Sequence, residues 1–99
     1  MLARHTVRGS EAAAEKFAEA IALDPKFAAA LSGLVDARML AAERRHDDLA
    51  AERKRQLPLL DGAREIDPNC GSAYVARAIW GDGDVTTQET DFRRGLELD

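Results

Sequence analysis

The chain has 99 residues and a formal net charge of −4, and it is poor in aromatic residues but rich in alanine, leucine, glutamate and arginine, so it forms at most one small, mainly helical domain. The acidic balance argues against nonspecific binding to nucleic acid or to anionic membranes, and no apolar run approaches the ~20 residues of a membrane span. A single cysteine, Cys70, excludes an internal disulfide framework and is compatible with a reducing compartment, so we expect a cytoplasmic protein.

The first helix is predicted to follow a short lead-in or partial helix at residues 1–9. Ser10 is a suitable N-cap residue, because its side-chain oxygen can accept a hydrogen bond from a free backbone N–H. Pro25 disfavours helical geometry in the residue before it, so the helix should end close to Leu23. Its apolar stripe has helical spacing and comprises Ala13, Ala14, Phe17, Ala20 and Ile21.

A second helix is predicted from just after Pro25 to about Glu43. A third should cover roughly Asp47 to Ile66, with Pro58 in its interior, where proline costs about 3 kcal/mol and predicts a kink or a break. The apolar residues expected on these two helices are Phe27, Leu31, Leu34, Val35 and Ala42, followed by Leu49, Leu57, Leu60, Ala63 and Ile66.

The fourth helix should follow Pro68 and end at the glycines of residues 81–83. The fifth should begin near residues 84–86, because Thr86 and Glu89 have the spacing of a capping box. The expected apolar positions are Tyr74, Ala78 and Trp80 in the fourth helix and Phe92, Gly95 and Leu96 in the fifth.

Three helix ends share one pattern, in residues 17–25, 60–68 and 92–99. Each has a large apolar residue seven places before an aspartate and a small residue four places before it. Two of the aspartates are followed by proline, and the third is Asp99. Such self-similarity predicts a stacked helical array, with a repeat domain at 10–99 whose units end near residues 25, 68 and 99.

This ordering resembles the tetratricopeptide repeat (TPR). The positions that match the second helix of that repeat are Ala13, Phe17, Ala20, Ile21, Asp24 and Pro25, and again Phe92, Leu96 and Asp99, while Leu31, Leu34 and Tyr74 match the core of the first helix. Gly95 replaces the usual alanine at an expected cost of ~1 kcal/mol. The interval from Pro25 to Pro68 is longer than one family repeat. The resemblance implies an all-α fold of about five helices, in antiparallel hairpins stacked as a TPR-like α-solenoid.

A narrower resemblance covers Ile21 to Ala37 and Trp80 to Arg94. These stretches look like repeat arrays of bacterial winged-helix transcription regulators and nucleotide cyclases. The resemblance implies a regulatory segment without the output activity.

The family's binding surface is the concave face lined by the first helix of each repeat. The resemblance therefore implies a non-catalytic scaffold that binds a protein or peptide partner through this face. By register the groove residues would be Ser32, Asp36, Met39 and Leu40 from the second helix and Val75 and Ile79 from the fourth. Alternatively, these residues pack against a neighbouring repeat or the third helix.

Other chemistry is less well supported by the sequence. The basic residues between Arg44 and Arg55 could contact phosphates, but the acidic residues among them favour ion pairs on a solvated helix face. Asp82 and Asp84 lack the rest of a calcium loop, and the two histidines are far apart in sequence. We therefore expect no catalytic residue, no metal and no cofactor.

Two interpretations remain open. The first is the partner-binding module just described, without nucleic-acid or membrane binding. The second is a structural or self-associating regulatory segment of a larger bacterial signalling protein, with a possible homo-oligomer formed through exposed end helices.

Overall fold

The computed structural model describes residues 7–81 and 83–98, and these residues form five α-helices with no strand among them. They are α1 (Val7–Leu23), α2 (Ala28–Arg44), α3 (Leu49–Ile66), α4 (Gly71–Trp80) and α5 (Val85–Leu98). The all-α prediction with five helices is therefore confirmed. The lead-in at 1–6 and the terminal Asp99 lie outside the described residues.

The repeated Asp-Pro pair forms the same turn at both of its occurrences. Asp24 accepts a hydrogen bond on its side chain from the N–H of Lys26, and its carbonyl accepts one from Phe27. In the same way, the side chain of Asp67 accepts a hydrogen bond from the N–H of Asn69, and its carbonyl accepts one from the N–H of Cys70. Proline at the second position suits such a turn, because its fixed φ matches the turn and the turn needs no N–H donor at that position. The repeated sequence therefore encodes a repeated change of direction.

Three local predictions about helix ends and interiors differ from the structure. Ser10 lies inside α1 and is not its N-cap. The N–H of Thr87 donates to Asp84 Oδ1 at 2.8 Å, so Asp84 caps α5, and the expected capping box from Thr86 to Glu89 lies inside the helix. The predicted break at Pro58 does not occur, since α3 continues through it. Pro58 is exposed, so water can solvate the carbonyl that the proline leaves unpaired.

The interior lies where α2, α3 and α4 meet. One cluster contains Val35, Met39, Leu60 and Ala76, and a second contains Ala28, Ala63, Cys70 and Ala73. Consecutive helices pack against each other, and α2 also packs against α4. Among the described helices, α1 contacts α2 alone and α5 contacts α4 alone. The two end helices are therefore each covered on one side.

This arrangement overturns part of the predicted core. Phe92 and Leu96 were expected to be buried, but they are 45% and 59% exposed, because no described helix covers that side of α5. Phe27 precedes α2 and is likewise exposed, as is Ile66 at the end of α3. Of the predicted stripe of α5, only Gly95 is buried.

Gly95 is a site of close helix approach. A β-carbon at this position would lie 2.8 Å from the carbonyl oxygen of Gly71 and 3.1 Å from the backbone nitrogen of Val75, both on α4. Contacts this short with backbone atoms cannot be relieved by rotating a side chain. The glycine that the sequence marks as a weak helix former is therefore what allows α5 to pack on α4.

No described helix is both long enough and apolar enough to cross a lipid bilayer.

We expect Gly95→Ala to lower the free energy of unfolding by about 1–3 kcal/mol, because the new methyl group forces α5 away from α4. Gly62→Ala is the matched control, since no atom lies within 4 Å of a β-carbon built at that position in α3. It should raise stability by up to about 1 kcal/mol through helix propensity. Urea denaturation of both variants checks the pair. Equal effects at the two positions would contradict the packing role of Gly95.

Candidate functional site

The six residues predicted to line one groove lie in different environments. Ser32 and Met39 are 1% exposed. The Ser32 hydroxyl donates to the carbonyl of Ala28 one turn earlier in α2, at 3.5 Å, and Met39 packs with Leu60 of α3. These two side chains are part of the interior and present no open surface to a partner, because α3 and α4 cover that face of α2.

The other four predicted residues separate into two pairs. Asp36 and Leu40 are half-buried and line an open groove between α1 and α2. Val75 and Ile79 lie on α4, where Val75 is half-buried and Ile79 is 56% exposed. A β-carbon at Gly95 would collide with Val75, so that side chain faces α5. The structure thus does not bring the six residues together in one groove.

The groove between α1 and α2 has a volume of about 480 Å³. Most of its lining is apolar and small, and Lys16 and Asp36 supply the charged groups. The principal apolar lining residues are Ala12, Ala13 and Phe17 of α1 and Gly33, Ala37 and Leu40 of α2. Its volume falls within the roughly 300–1,000 Å³ typical of sites that bury a ligand.

Phe17 and Gly33 form the contact between the two walls of this groove. A β-carbon at Gly33 would lie 2.8 Å from Cδ1 of Phe17, so the ring rests directly against the α2 backbone. Sequence reasoning placed Phe17 in the apolar stripe of α1 but did not place it in a binding site. The signal that could have found the site is Gly33 itself, because glycine inside a helix costs stability unless close packing requires it.

A chain of hydrogen bonds joins α2, α3 and α4 beside the groove. The indole Nε1 of Trp80 donates to Asp36 Oδ1 at 2.7 Å, and Nε of Arg53 donates to the carbonyl of Trp80 at 2.7 Å. Trp80 also packs against the central apolar cluster. One wall residue of the groove, Asp36, is therefore held in place by a residue 44 positions away in the sequence.

Burial raises the pKa of Asp36 above its ordinary value of 3.8, because desolvation penalises the charged carboxylate. The hydrogen bond from Trp80 acts in the opposite direction but is the smaller effect. Asp36 is the charged group that α2 contributes to the groove lining. Its carboxylate is thus a partly desolvated acceptor at the groove wall.

Three of the basic residues between Arg44 and Arg55, namely Arg45, Arg53 and Arg55, contact acidic or backbone groups of the chain. Arg45 pairs with Glu11 at 2.8 Å and with Asp47 at 3.0 Å, and Arg55 pairs with Glu52 at 2.7 Å. The Glu52 pKa is lowered, chiefly by the hydrogen bond from Arg55. The Arg45–Glu11 pair also joins α2's C-terminal end to α1. These contacts favour the interpretation of the cluster as an ion-paired helix face.

Arg64 and Arg77 have aromatic and acidic partners, respectively. The Arg64 guanidinium lies 4.9 Å from the centre of the Tyr74 ring, a cation–π distance. Arg77 pairs with Asp91 of α5 at 3.6 Å and with Asp61 of α3 at 3.9 Å. Arg77 thus links the two helices that flank α4.

The remaining candidate chemistry is sparse. Cys70 is buried, and its sulfur lies 3.3 Å from the hydroxyl of Ser72. Within residues 7–81 and 83–98, no group of three or more His, Cys, Asp or Glu side chains could hold a metal ion. Asp82 of the candidate calcium loop and His5 lie outside the described residues.

No family model, curated protein or solved structure matches this chain.

The Asp36–Trp80 bond should be detectable as a coupling energy. Trp80→Phe removes the indole donor, and Asp36→Ala removes the acceptor. We expect each to lower the free energy of unfolding by about 1–3 kcal/mol. The double variant should lose less than the sum of the two, because the second change breaks a bond already lost. Additive losses in urea denaturation would show that the two side chains do not stabilise each other.

Asp36→Asn should change the pH dependence of stability. A carboxyl whose folded-state pKa is raised binds its proton more tightly in the folded state, so the wild type loses stability as pH rises from 3.8 through the folded-state pKa. The amide cannot ionise and retains an oxygen acceptor for Trp80. The stability of the variant relative to the wild type should therefore increase between pH 3 and pH 7. A pH-independent difference in urea midpoints would contradict this.

Proposed function

We propose that this chain is a non-catalytic interaction module that binds an apolar helical segment of a protein partner in the groove between α1 and α2. The observation that carries the proposal is the groove itself, an open, largely apolar trough with small residues on both walls. Helices are commonly recognised by laying an apolar face into such a groove. Ala12 of α1 and Ala37 of α2 are small lining residues that leave room for larger side chains of a partner.

The charged groups of the groove give the partner an orientation. Lys16 and Asp36 line it, one on each helix. The partly buried Asp36 can accept a hydrogen bond or pair with a basic residue, and Lys16 can pair with an acidic one. A partner helix with an apolar stripe and opposite charges at its margins matches this pattern.

We further propose that the five helices are stacked as a TPR-like α-solenoid. Connections of four residues join helices that pack against each other, which favours antiparallel pairs. The contact of α2 with α4 as well as with α3 is what stacked hairpins require. The identical turns after Asp24 and Asp67 support repetition of one structural unit.

A filled groove should abolish partner binding. Ala12→Trp places a large ring at the groove wall, and Ala18→Trp is the matched control because Ala18 is also exposed on α1 but does not line the groove. A displayed library of amphipathic helical peptides would be selected on the wild type. We expect binders with Kd of about 1–100 µM, weakened at least tenfold by Ala12→Trp and unchanged by Ala18→Trp.

Backbone NMR titration locates the selected peptides on the chain. Shifts should concentrate at Gly33 and Leu40 of α2 and at Phe17 of α1. A library that yields no helical binder, or binders that Ala12→Trp does not affect, would contradict the proposed site.

A further inference from the structure

α5 has a second apolar face in addition to the one that packs on α4. The face toward α4 contains Asp91, which is half-buried, and Gly95, which is buried. Val85, Phe92 and Leu96 are 68%, 45% and 59% exposed. Their spacing of seven and four residues places them on one side of the helix. An isolated exposed apolar residue is ordinary, but three on one stripe indicate a surface that another helix can cover.

The equivalent position in α3 shows how a residue of this kind is covered in the middle of the fold. Leu60 in α3 and Phe92 in α5 both lie seven residues before the aspartate that ends their unit. Leu60 is 0% exposed, because it packs with residues of both α2 and α4. α5 contacts α4 alone among the described helices. Phe92 thus lies at a position that, in the middle of the fold, is covered on both sides.

Several helix contacts of this chain pack a larger side chain against a small residue. Phe17 rests on Gly33, and Val75 faces Gly95. Leu60 packs in the same cluster as Ala76. Large side chains exposed at one end of the fold therefore match a groove lined by small residues, and such a groove lies at the other end, between α1 and α2.

We propose that the occupant of the α1–α2 groove is α5 of a second copy of this chain. Phe92 and Leu96 of one copy enter the groove of the next, between Ala12 of α1 and Ala37 of α2 and beside the ring of Phe17. This inference rests on the proposed function, because it names the partner of the same groove.

Charge complementarity supports this pairing. Glu89 is exposed and lies on the apolar stripe of α5, four residues after Val85 and three before Phe92. Lys16 lines the groove, and its side chain is 83% exposed, with only a 3.8 Å contact to Glu19. Entry of the stripe into the groove brings Glu89 toward Lys16, a rim pair of opposite charge.

The two surfaces differ, so the association is head-to-tail. Each copy has one groove and one stripe, and a bound copy leaves a free surface at each end. Assembly should therefore grow with concentration beyond a dimer unless the rotation closes a ring. An α5-to-α5 pairing would stop at two copies, since it uses the same surface on both.

Complementation of two defective variants tests the proposal. Ala12→Trp blocks the groove but keeps the stripe, and the double variant Phe92→Ser, Leu96→Glu removes the stripe but keeps the groove. Each alone should be monomeric in sedimentation velocity at concentrations where the wild type and Ala18→Trp assemble. Mixed in equal amounts, they should form a 1:1 dimer that grows no further. Circular dichroism confirms that each variant is folded.

A charge reversal gives a second test with substitutions at exposed positions. Lys16→Glu and Glu89→Lys should each weaken self-association by about two- to fivefold, as expected for an exposed ion pair. The chain carrying both changes should recover most of the wild-type affinity, because each interface again has opposite charges. Weakening that is simply additive in the double variant would overturn the proposed pairing.

The outcomes separate this inference from the proposed function. A wild type that is monomeric at 1 mM overturns the inference, and so does an Ala12→Trp variant that assembles like the wild type. A mixture without a 1:1 dimer also overturns it. If selected helical peptides still bind the groove in any of these cases, the proposed function stands and the partner is a different protein.

Discussion

Close approach between helices through glycine and alanine is the constraint on which this fold depends. The two buried clusters contain more alanine than any other residue, and the largest fully buried side chains are Met39 and Leu60. Small side chains such as alanine cannot fill the space between helices that lie far apart. The helices of this short chain must therefore pack closely to bury apolar surface. Gly33 and Gly95 permit this at the two outer contacts, where a methyl group would collide with the neighbouring helix.

Polar ties across the helices supplement this thin interior. Trp80 spans the centre, donating its indole hydrogen to α2 while its carbonyl accepts from Arg53 of α3. Arg77 links α4 with both α3 and α5 through carboxylates. The two Arg77 ion pairs are partly exposed, so each of them contributes little by itself. All of these polar contacts also fix which faces of the helices meet. Alanine-rich surfaces by themselves specify that choice only weakly.

The incomplete covering of α1 and α5 connects the fold to its proposed function. Among the described helices, α2, α3 and α4 each pack against at least two others, whereas α1 and α5 each pack against one. What remains is a groove of mostly small residues between α1 and α2, and a stripe of larger apolar residues on α5. A structure with this asymmetry can join a helix at either end without rearranging its interior. Binding then requires little reorganisation, and the apolar surface buried on contact supplies the driving force.

The sequence by itself determined the number of helices, most of their boundaries and the turns between them, because these depend on local chemistry. Apolar spacing located the helices, and Asp24-Pro25 and Asp67-Pro68 located two of the turns, since aspartate and proline act on their immediate neighbours. The candidate site was predictable only for Asp36 and Leu40, which line the observed groove. Tertiary structure decided that Met39 is covered, that Phe92 is not, and that Trp80 holds Asp36. Those outcomes depend on which helix packs over which face, and a local pattern that marks a face as apolar does not say what covers it.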